Sequence, residues 1–303
     1  MEYRTLGKTG ERVSAIGLGG AHAARPKEAA ETTRIIHAAI DGGITFLDNC
    51  WDYSMGEAEE RMGAALADGN HREKIFLMTK IDGHTREAAA AQIDQCLTRL
   101  RTDHIDLMQI HEVIRADDPE RVFAPGGTME ALLAAKQAGK IRYIGFTGHK
   151  NPDIHLKMLG QDFAWDTVQM PLNCVDAHYA SFARKVLPVL VERGIGVLGM
   201  KPMAAGNAIT SGAATGPECL RYALSLRTSV VITGCDSMEI LQQALDAGNN
   251  FTPMTPAEMT ALLSRTAALA GAEGELEGYK TTTRFDGTTT NPHWLTTASV
   301  HAE

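Results

Sequence analysis

GITFLD (43–48), IFLMTK (75–80) and IDLMQIH (105–111) are three short apolar runs, and each stops on an ionisable side chain: Asp48, Lys80 and His111. Similar β-rich runs lie at Ile16–Gly19, Ile141–Thr147, Thr167–Met170, Ile195–Met200 and Val230–Thr233. Between them run stretches with helical spacing, among them Glu28–Ile40, Arg86–Leu100 and Ala177–Arg193. Strand ends at 48, 80, 111, 147, 170, 200 and 233 are separated by 32, 31, 36, 23, 30 and 33 residues. That mean of about 31 is the length of one βα repeat. With Ile16–Gly19 the strands number eight, the size of a closed (β/α)8 (TIM) barrel. Periodicity does not report closure, so an open doubly wound sheet is the alternative; the barrel is the expected α/β architecture. A hairpin is expected around Gly7-Lys8-Thr9-Gly10, and Gly139 and Gly194 fall where left-handed residues end helices.

The chain has 303 residues, 29 Lys+Arg against 37 Asp+Glu, and a formal charge of −8. An acidic balance without a basic stripe argues against nucleic acid as a partner. No apolar run approaches the roughly 20 residues that cross a bilayer, so no membrane partner is expected. The opening MEYRTLGKTGER has no apolar signal region, and the five scattered cysteines form no CxxC. A reduced, cytoplasmic setting is expected. No low-complexity linker divides residues 1–303, so one domain is expected. The Thr- and Gly-rich tail, 274–303, is expected to cover part of the barrel mouth, with Trp294 and Tyr279–Phe285 supplying apolar surface. The oligomeric state is not legible.

Several motifs are excluded by context. The GxGxxG at Gly194–Gly199 follows a helix and enters a strand, the reverse of a dinucleotide fingerprint. Gly17-Leu-Gly19-Gly20 carries His22 where a third glycine belongs. His104 and His111 are seven apart on a strand and point to opposite faces, and no compact His/Asp cluster is evident, so no metal is expected. What remains is the set of strand-end groups. In a barrel Asp48, Lys80 and His111 share the C-terminal face, where active sites are built, and Tyr53 follows Asp48 by five residues. A lysine ammonium beside a phenol is expected to lower the phenol pKa from about 10, and a neighbouring histidine can hold a carbonyl oxygen. Such a set delivers a proton to an oxygen and supplies no electrons. It needs a hydride donor or an internal proton shift.

DNCWDYSMGEAEERMGAAL (48–66), MTK (78–80) and LMQIH (107–111) together resemble the aldo-keto reductase superfamily, over the chain to about residue 250. The resemblance implies a barrel binding NADP or NAD across its C-terminal face and oxidoreductase action on a small carbonyl or alcohol substrate. It implies Tyr53 as general acid, tuned by Asp48 and Lys80, with His111 orienting the carbonyl. It puts Gly20, Thr147, Gly148, His149, Gln169, Met200, Lys201, Gly234, Asp236, Ser237 and Gln243 at the cofactor, and His22, Trp51 and Trp294 at the substrate. The family's Gly-Val-Ser-Asn reads Gly145-Phe146-Thr147-Gly148 here, so the asparagine amide is missing and His149 stands next. Met200 replaces an aromatic residue. The segment ITGCDSMEILQQAL (232–245) has no basic residue to grip a 2′-phosphate, which points to NADH use at least comparable with NADPH. Two other readings are a cofactor-bound regulatory subunit and an isomerase or lyase using the same Tyr-Lys-His set.

Overall fold

A computed structural model describes residues 1–270, 274–283 and 285–286. Two short strands, β1 (Tyr3–Thr5) and β2 (Arg12–Ser14), pair antiparallel across the Gly7–Gly10 turn. The strands β3 (Ile16–Gly19), β4 (Phe46–Asp48), β5 (Phe76–Ile81), β6 (Ile105–Ile110), β7 (Ile141–Thr147), β8 (Thr167–Pro171), β9 (Gly196–Met200) and β10 (Val230–Gly234) follow. They are parallel neighbours in chain order, and pairing of β10 with both β9 and β3 closes the barrel. The open sheet is thereby excluded.

The period of two along a strand decides what enters the barrel. Phe46, Phe76, Met78, Leu107, Leu198, Val230 and Ile232 fill its lower half, and Leu6 and Val13 of the hairpin close that end. Each such side chain contributes about 1.5–3 kcal/mol on full burial, which makes this end the rigid base. Gly7 sits at φ +54°, and a Cβ there would lie 2.3 Å from the Gly196 nitrogen, so the hairpin seats only with glycine. Two residues further up each strand, the same inward face carries Asp48, Lys80, Gln109, Gln169 and Met200. The alternate face meets the helices through residues such as Leu47, Leu77, Met108 and Val168.

Helices Ala29–Asp41 and Arg86–Leu100 form where the spacing places them. Gly194 does end a helix at φ +65°, and Gly139 follows one at φ +76°. The run at Gly194–Gly199 therefore passes from helix cap into β9. The expected helix Ala177–Arg193 is broken instead. A 3-10 turn (Asp176–His178) gives way at Ala180 (φ 38°), and two short helices follow, Phe182–Lys185 and Leu187–Arg193. Asp176 causes the break: its carboxylate accepts from the backbone nitrogens of Phe182 and Ala183 and from the Ser181 hydroxyl, each at 3.0 Å. The short 23-residue step before β8 reflects a helix of only eight residues, Pro152–Leu159.

The end of the described chain returns to the barrel mouth. Tyr279 is fully buried and its hydroxyl accepts from Asn173 Nδ2 at 3.1 Å. Lys280 Nζ donates to Asp176 and Glu277, both at 2.7 Å, and to the Tyr179 carbonyl at 2.8 Å. Lys150 Nζ donates to the Thr282 carbonyl at 2.6 Å and to Asp286 at 2.5 Å. Residues 279–283 and 285–286 thus lie on the loops that follow β7 and β8. Trp294 falls outside the described residues. Among the described residues, no helix is long and apolar enough to cross a membrane, and the five cysteines are free and buried.

Candidate active site

The site is built around the Lys80 ammonium, which is 1% exposed at the top of β5. Its three protons have three acceptors: Asp48 Oδ1 at 2.5 Å, the Asn49 carbonyl at 2.7 Å and the Tyr53 hydroxyl at 3.1 Å. Burial alone would lower its pKa, but Asp48 and Tyr53 outweigh this and hold the cation charged. A buried ion is tolerable on these terms because every donor is satisfied. Asp48 Oδ2 accepts in turn from Gln169 Nε2 at 3.4 Å.

Tyr53 reaches Lys80 through a strained turn. Ser54 (φ 52°) and Met55 (φ 57°) are left-handed, and Gly56 (φ 96°) leads into helix Glu57–Ala67. A Cβ on Gly56 would lie 2.4 Å from the Arg99 guanidinium carbon. Two consecutive non-glycine residues in the left-handed region are costly, and such strain persists where the surroundings enforce it. The phenol pKa departs from expectation. Burial pushes it above the ordinary range, with Asp48 and Cys50 adding, while Lys80 opposes as anticipated. Desolvation wins, so Tyr53 is held protonated.

His111 packs edge-on to the Tyr53 ring, with centroids 5.9 Å apart. Its Nδ1 lies 2.9 Å from Asp82 Oδ1 and 3.3 Å from Cys50 Sγ. Burial pushes the imidazole down to about 4 and Asp82 up to about 7. The donor atoms of Cys50, Asp82 and His111 lie within 4.8 Å of one another, a cluster the sequence did not disclose. One proton shared between Asp82 Oδ1 and His111 Nδ1 accounts for their proximity, and the Lys80 cation acts on both groups.

The arrangement is a buried phenol with a fixed cation behind it and a neutral imidazole beside it, at the mouth of a parallel barrel. The "Aldo/keto reductase family" model matches residues 15–218. The chain belongs to the aldo/keto reductase family. It is 30% identical over 226 residues to the L-glyceraldehyde 3-phosphate reductase of Escherichia coli O157:H7, covering 68% of this chain and 62% of that protein. It is 29% identical over 224 residues to the L-galactose dehydrogenase of Arabidopsis thaliana, covering 68% and 66%. The chain thus spans about two thirds of these relatives' lengths. The holo form of a Bacillus halodurans aldo-keto reductase superposes with a TM-score of 0.73 at 23% identity, over 90% of this chain and 97% of that one. The protein is an oxidoreductase of a family that generally uses NAD(P)H.

The residues expected at an aldo/keto reductase cofactor fall into two groups. Thr147, Gln169, Met200 and His149 gather on the β7–β9 side of the mouth. Thr147 Oγ1 lies 3.9 Å from Met200 Sδ. Gln169 Oε1 is buried without a hydrogen-bond partner among the described residues, and His149 Nε2 lies 3.7 Å from Asp286 Oδ1. Gly148 explains the lost asparagine, since a Cβ there would meet the Val113 oxygen at 2.2 Å. Lys201, in a left-handed conformation (φ 52°), holds its Nζ over the Tyr279 and Phe285 rings, 5.6 and 5.7 Å from their centroids.

The second group sits at β10. A Cβ on Gly234 would lie 1.9 Å from His22 Nδ1, so His22 packs on the Gly234 backbone, beside the cofactor positions. Asp236 pairs with Arg25 at 3.4 Å, and the Ser237 hydroxyl caps helix Met238–Asn249 by accepting from the Ile240 nitrogen. Gln243 faces Gly216, and a Cβ on Gly20 would strike the Asp48 carbonyl at 2.4 Å. Trp51 is held on the outer side, its Nε1 donating to Gln95 at 2.6 Å and its ring facing Arg99. Sequence reasoning missed Asp82, Cys50 and Arg25. The strand period would have found Asp82, which shares a face with Lys80 two residues earlier.

Proposed function

We propose that the protein reduces a small aldehyde or ketone to the alcohol with NADPH or NADH, and catalyses the reverse oxidation, with Tyr53 as the proton donor. The observation that carries this is the Lys80 ammonium held between Asp48 and the Tyr53 hydroxyl. A nicotinamide fits the β7–β9 side of the mouth, because the buried Gln169 Oε1 lacks the donor that a carboxamide N–H would provide. Thr147 and Gln169 would hold that carboxamide, and Met200 would pack against the ring. When bound, the reduced cofactor supplies a hydride to the carbonyl carbon.

The chain's own residues do the rest. Tyr53 gives its hydroxyl proton to the carbonyl oxygen as negative charge develops there. Lys80 stabilises the phenolate left behind, and Asp48 keeps Lys80 charged and aimed. His111 sits beside the phenol to orient the carbonyl. Burial keeps Tyr53 from ionising before substrate arrives. The test is a panel of aldehydes and ketones, including glyceraldehyde 3-phosphate and aldose sugars, assayed with each reduced cofactor by nicotinamide absorbance and alcohol formation. Carbonyl-dependent loss of reduced nicotinamide, matched by alcohol, is expected. Cofactor binding without turnover would indicate a regulatory subunit, and substrate rearrangement without absorbance change an isomerase or lyase.

A further inference from the structure

We propose that Asp82 is a positioning residue that sets the tautomer of His111 and thereby makes the site's hydrogen-bonding sense depend on pH. The proposal deepens the reductase reading and rests on it for its catalytic consequence. Asp82 is completely buried, two residues beyond Lys80 on the same inward face, and its backbone nitrogen is pinned by Gln92 Oε1 at 2.8 Å. Oδ1 lies 2.9 Å from His111 Nδ1, while Oδ2 is buried without a hydrogen-bond partner among the described residues. Nδ1 therefore faces Asp82, with the Cys50 thiol 3.3 Å away as its second neighbour, and Nε2 is the ring nitrogen turned away from Asp82.

A neutral imidazole carries one proton, and its partner decides where. When Asp82 is protonated, its hydroxyl donates to Nδ1, so Nε2 carries the ring proton and donates to a carbonyl oxygen. On ionisation, the Asp82 proton moves along the hydrogen bond to Nδ1 and the Nε2 proton leaves for solvent. One proton is lost in total, and Nε2 becomes an acceptor suited to an alcohol. The ionisable groups facing this pair are Lys80, Cys50, Tyr53, Asp52, Glu112, Lys201 and His149. Burial keeps Cys50 a thiol and Tyr53 a phenol, and Lys80 stays charged. The carboxyl group, raised to about 7 by burial against the opposing Lys80 charge, is the one that changes near neutrality, because His111 is held neutral down to about 4.

The experiment is nitrogen-15 NMR of histidine-labelled, cofactor-free protein between about pH 6 and about pH 8, with His111 assigned by its loss in His111→Gln. Wild type should carry the proton on Nε2 at the acid end and on Nδ1 at the alkaline end. Asp82→Asn has no proton to lose there, and its tautomer should be the same at both ends. A single His111 tautomer throughout in wild type, a protonated imidazolium at neutral pH, or an identical switch in Asp82→Asn would overturn the proposal. In the wild type, kcat/KM for aldehyde reduction should fall about tenfold per pH unit above the switch, and the fall should vanish in Asp82→Asn. A protein that turns over no carbonyl refutes the reductase reading, while the NMR result still decides the role of Asp82.

Discussion

Lys80 concentrates the local physics of the site, because one buried ammonium holds Asp48, the Asn49 carbonyl and Tyr53 together. Lys80→Met should lower carbonyl reduction by about 10²–10⁴, and should move the alkaline limb of the pH–rate profile upward. Asp82 then loses the Lys80 charge that favours its carboxylate, so its ionisation moves to higher pH. A profile unchanged from wild type would contradict this. Asp82 makes a separate, thermodynamic prediction. Its folded pKa of about 7 lies above the unfolded value of 3.8, so its protonated form favours the fold. That contribution is fully present below about pH 4 and is lost as pH rises through 7. The drop in Tm between about pH 5 and about pH 8 should therefore be smaller in Asp82→Asn than in wild type. An equal or larger drop would contradict the burial of an ionising carboxyl there. Asp48, Lys80 and His111 were legible because ionisable groups ended apolar runs. Asp82 was not, because it lies one residue past the end of β5, where no apolar run marks it. Arg25 was hidden for another reason: its partner Asp236 is 211 residues away, and local sequence carries no signal of such a pairing.

At the scale of elements, segment 278–283 is attached through buried charge as well as through the buried Tyr279. Lys280 lies between Asp176 and Glu277, all three with fully buried side chains. Removing one partner from a buried pair costs about 3–5 kcal/mol where the structure cannot relax. This segment can detach and rehydrate its carboxylates, so Lys280→Met should open it locally before lowering the global Tm. Hydrogen exchange at residues 278–283 should speed up by at least about tenfold. Protection unchanged from wild type would show that Tyr279 and the Lys150 contacts suffice to anchor the segment. The same elements mark where sequence reasoning stopped. Helix Arg86–Leu100 was readable end to end because its spacing and its Thr85 cap agree. The break at Ala180 was not, because it arises when Asp176 captures the nitrogens of Phe182 and Ala183, and alanine-rich spacing gives no hint of that competition. Residues 279–283 and 285–286 reach the loops after β7 and β8 through contacts far apart in sequence.

For the whole molecule, eight strands at a near-constant interval made the barrel legible, whereas closure needed the β9–β10–β3 pairings. Cofactor preference is also a property of the assembled face. Ser237–Ala244 offers no cation, and Arg25 arrives from the segment after the neighbouring strand β3, already paired with Asp236. We expect kcat/KM with NADH at least comparable to that with NADPH. Ile240→Arg, at an exposed position on helix Met238–Asn249, should shift the ratio toward NADPH by about tenfold, the worth of one charged hydrogen bond to phosphate. A hundredfold advantage for NADPH in the unmodified protein would show that Arg25 leaves Asp236 for the 2′-phosphate. The central claim is that Tyr53 donates the proton, and its most direct test is Tyr53→Phe in a single-turnover assay with reduced cofactor bound and a reactive aldehyde. The account predicts cofactor affinity within about threefold of wild type and hydride transfer slowed by about 10²–10⁴. Hydride transfer at the wild-type rate in Tyr53→Phe would contradict it.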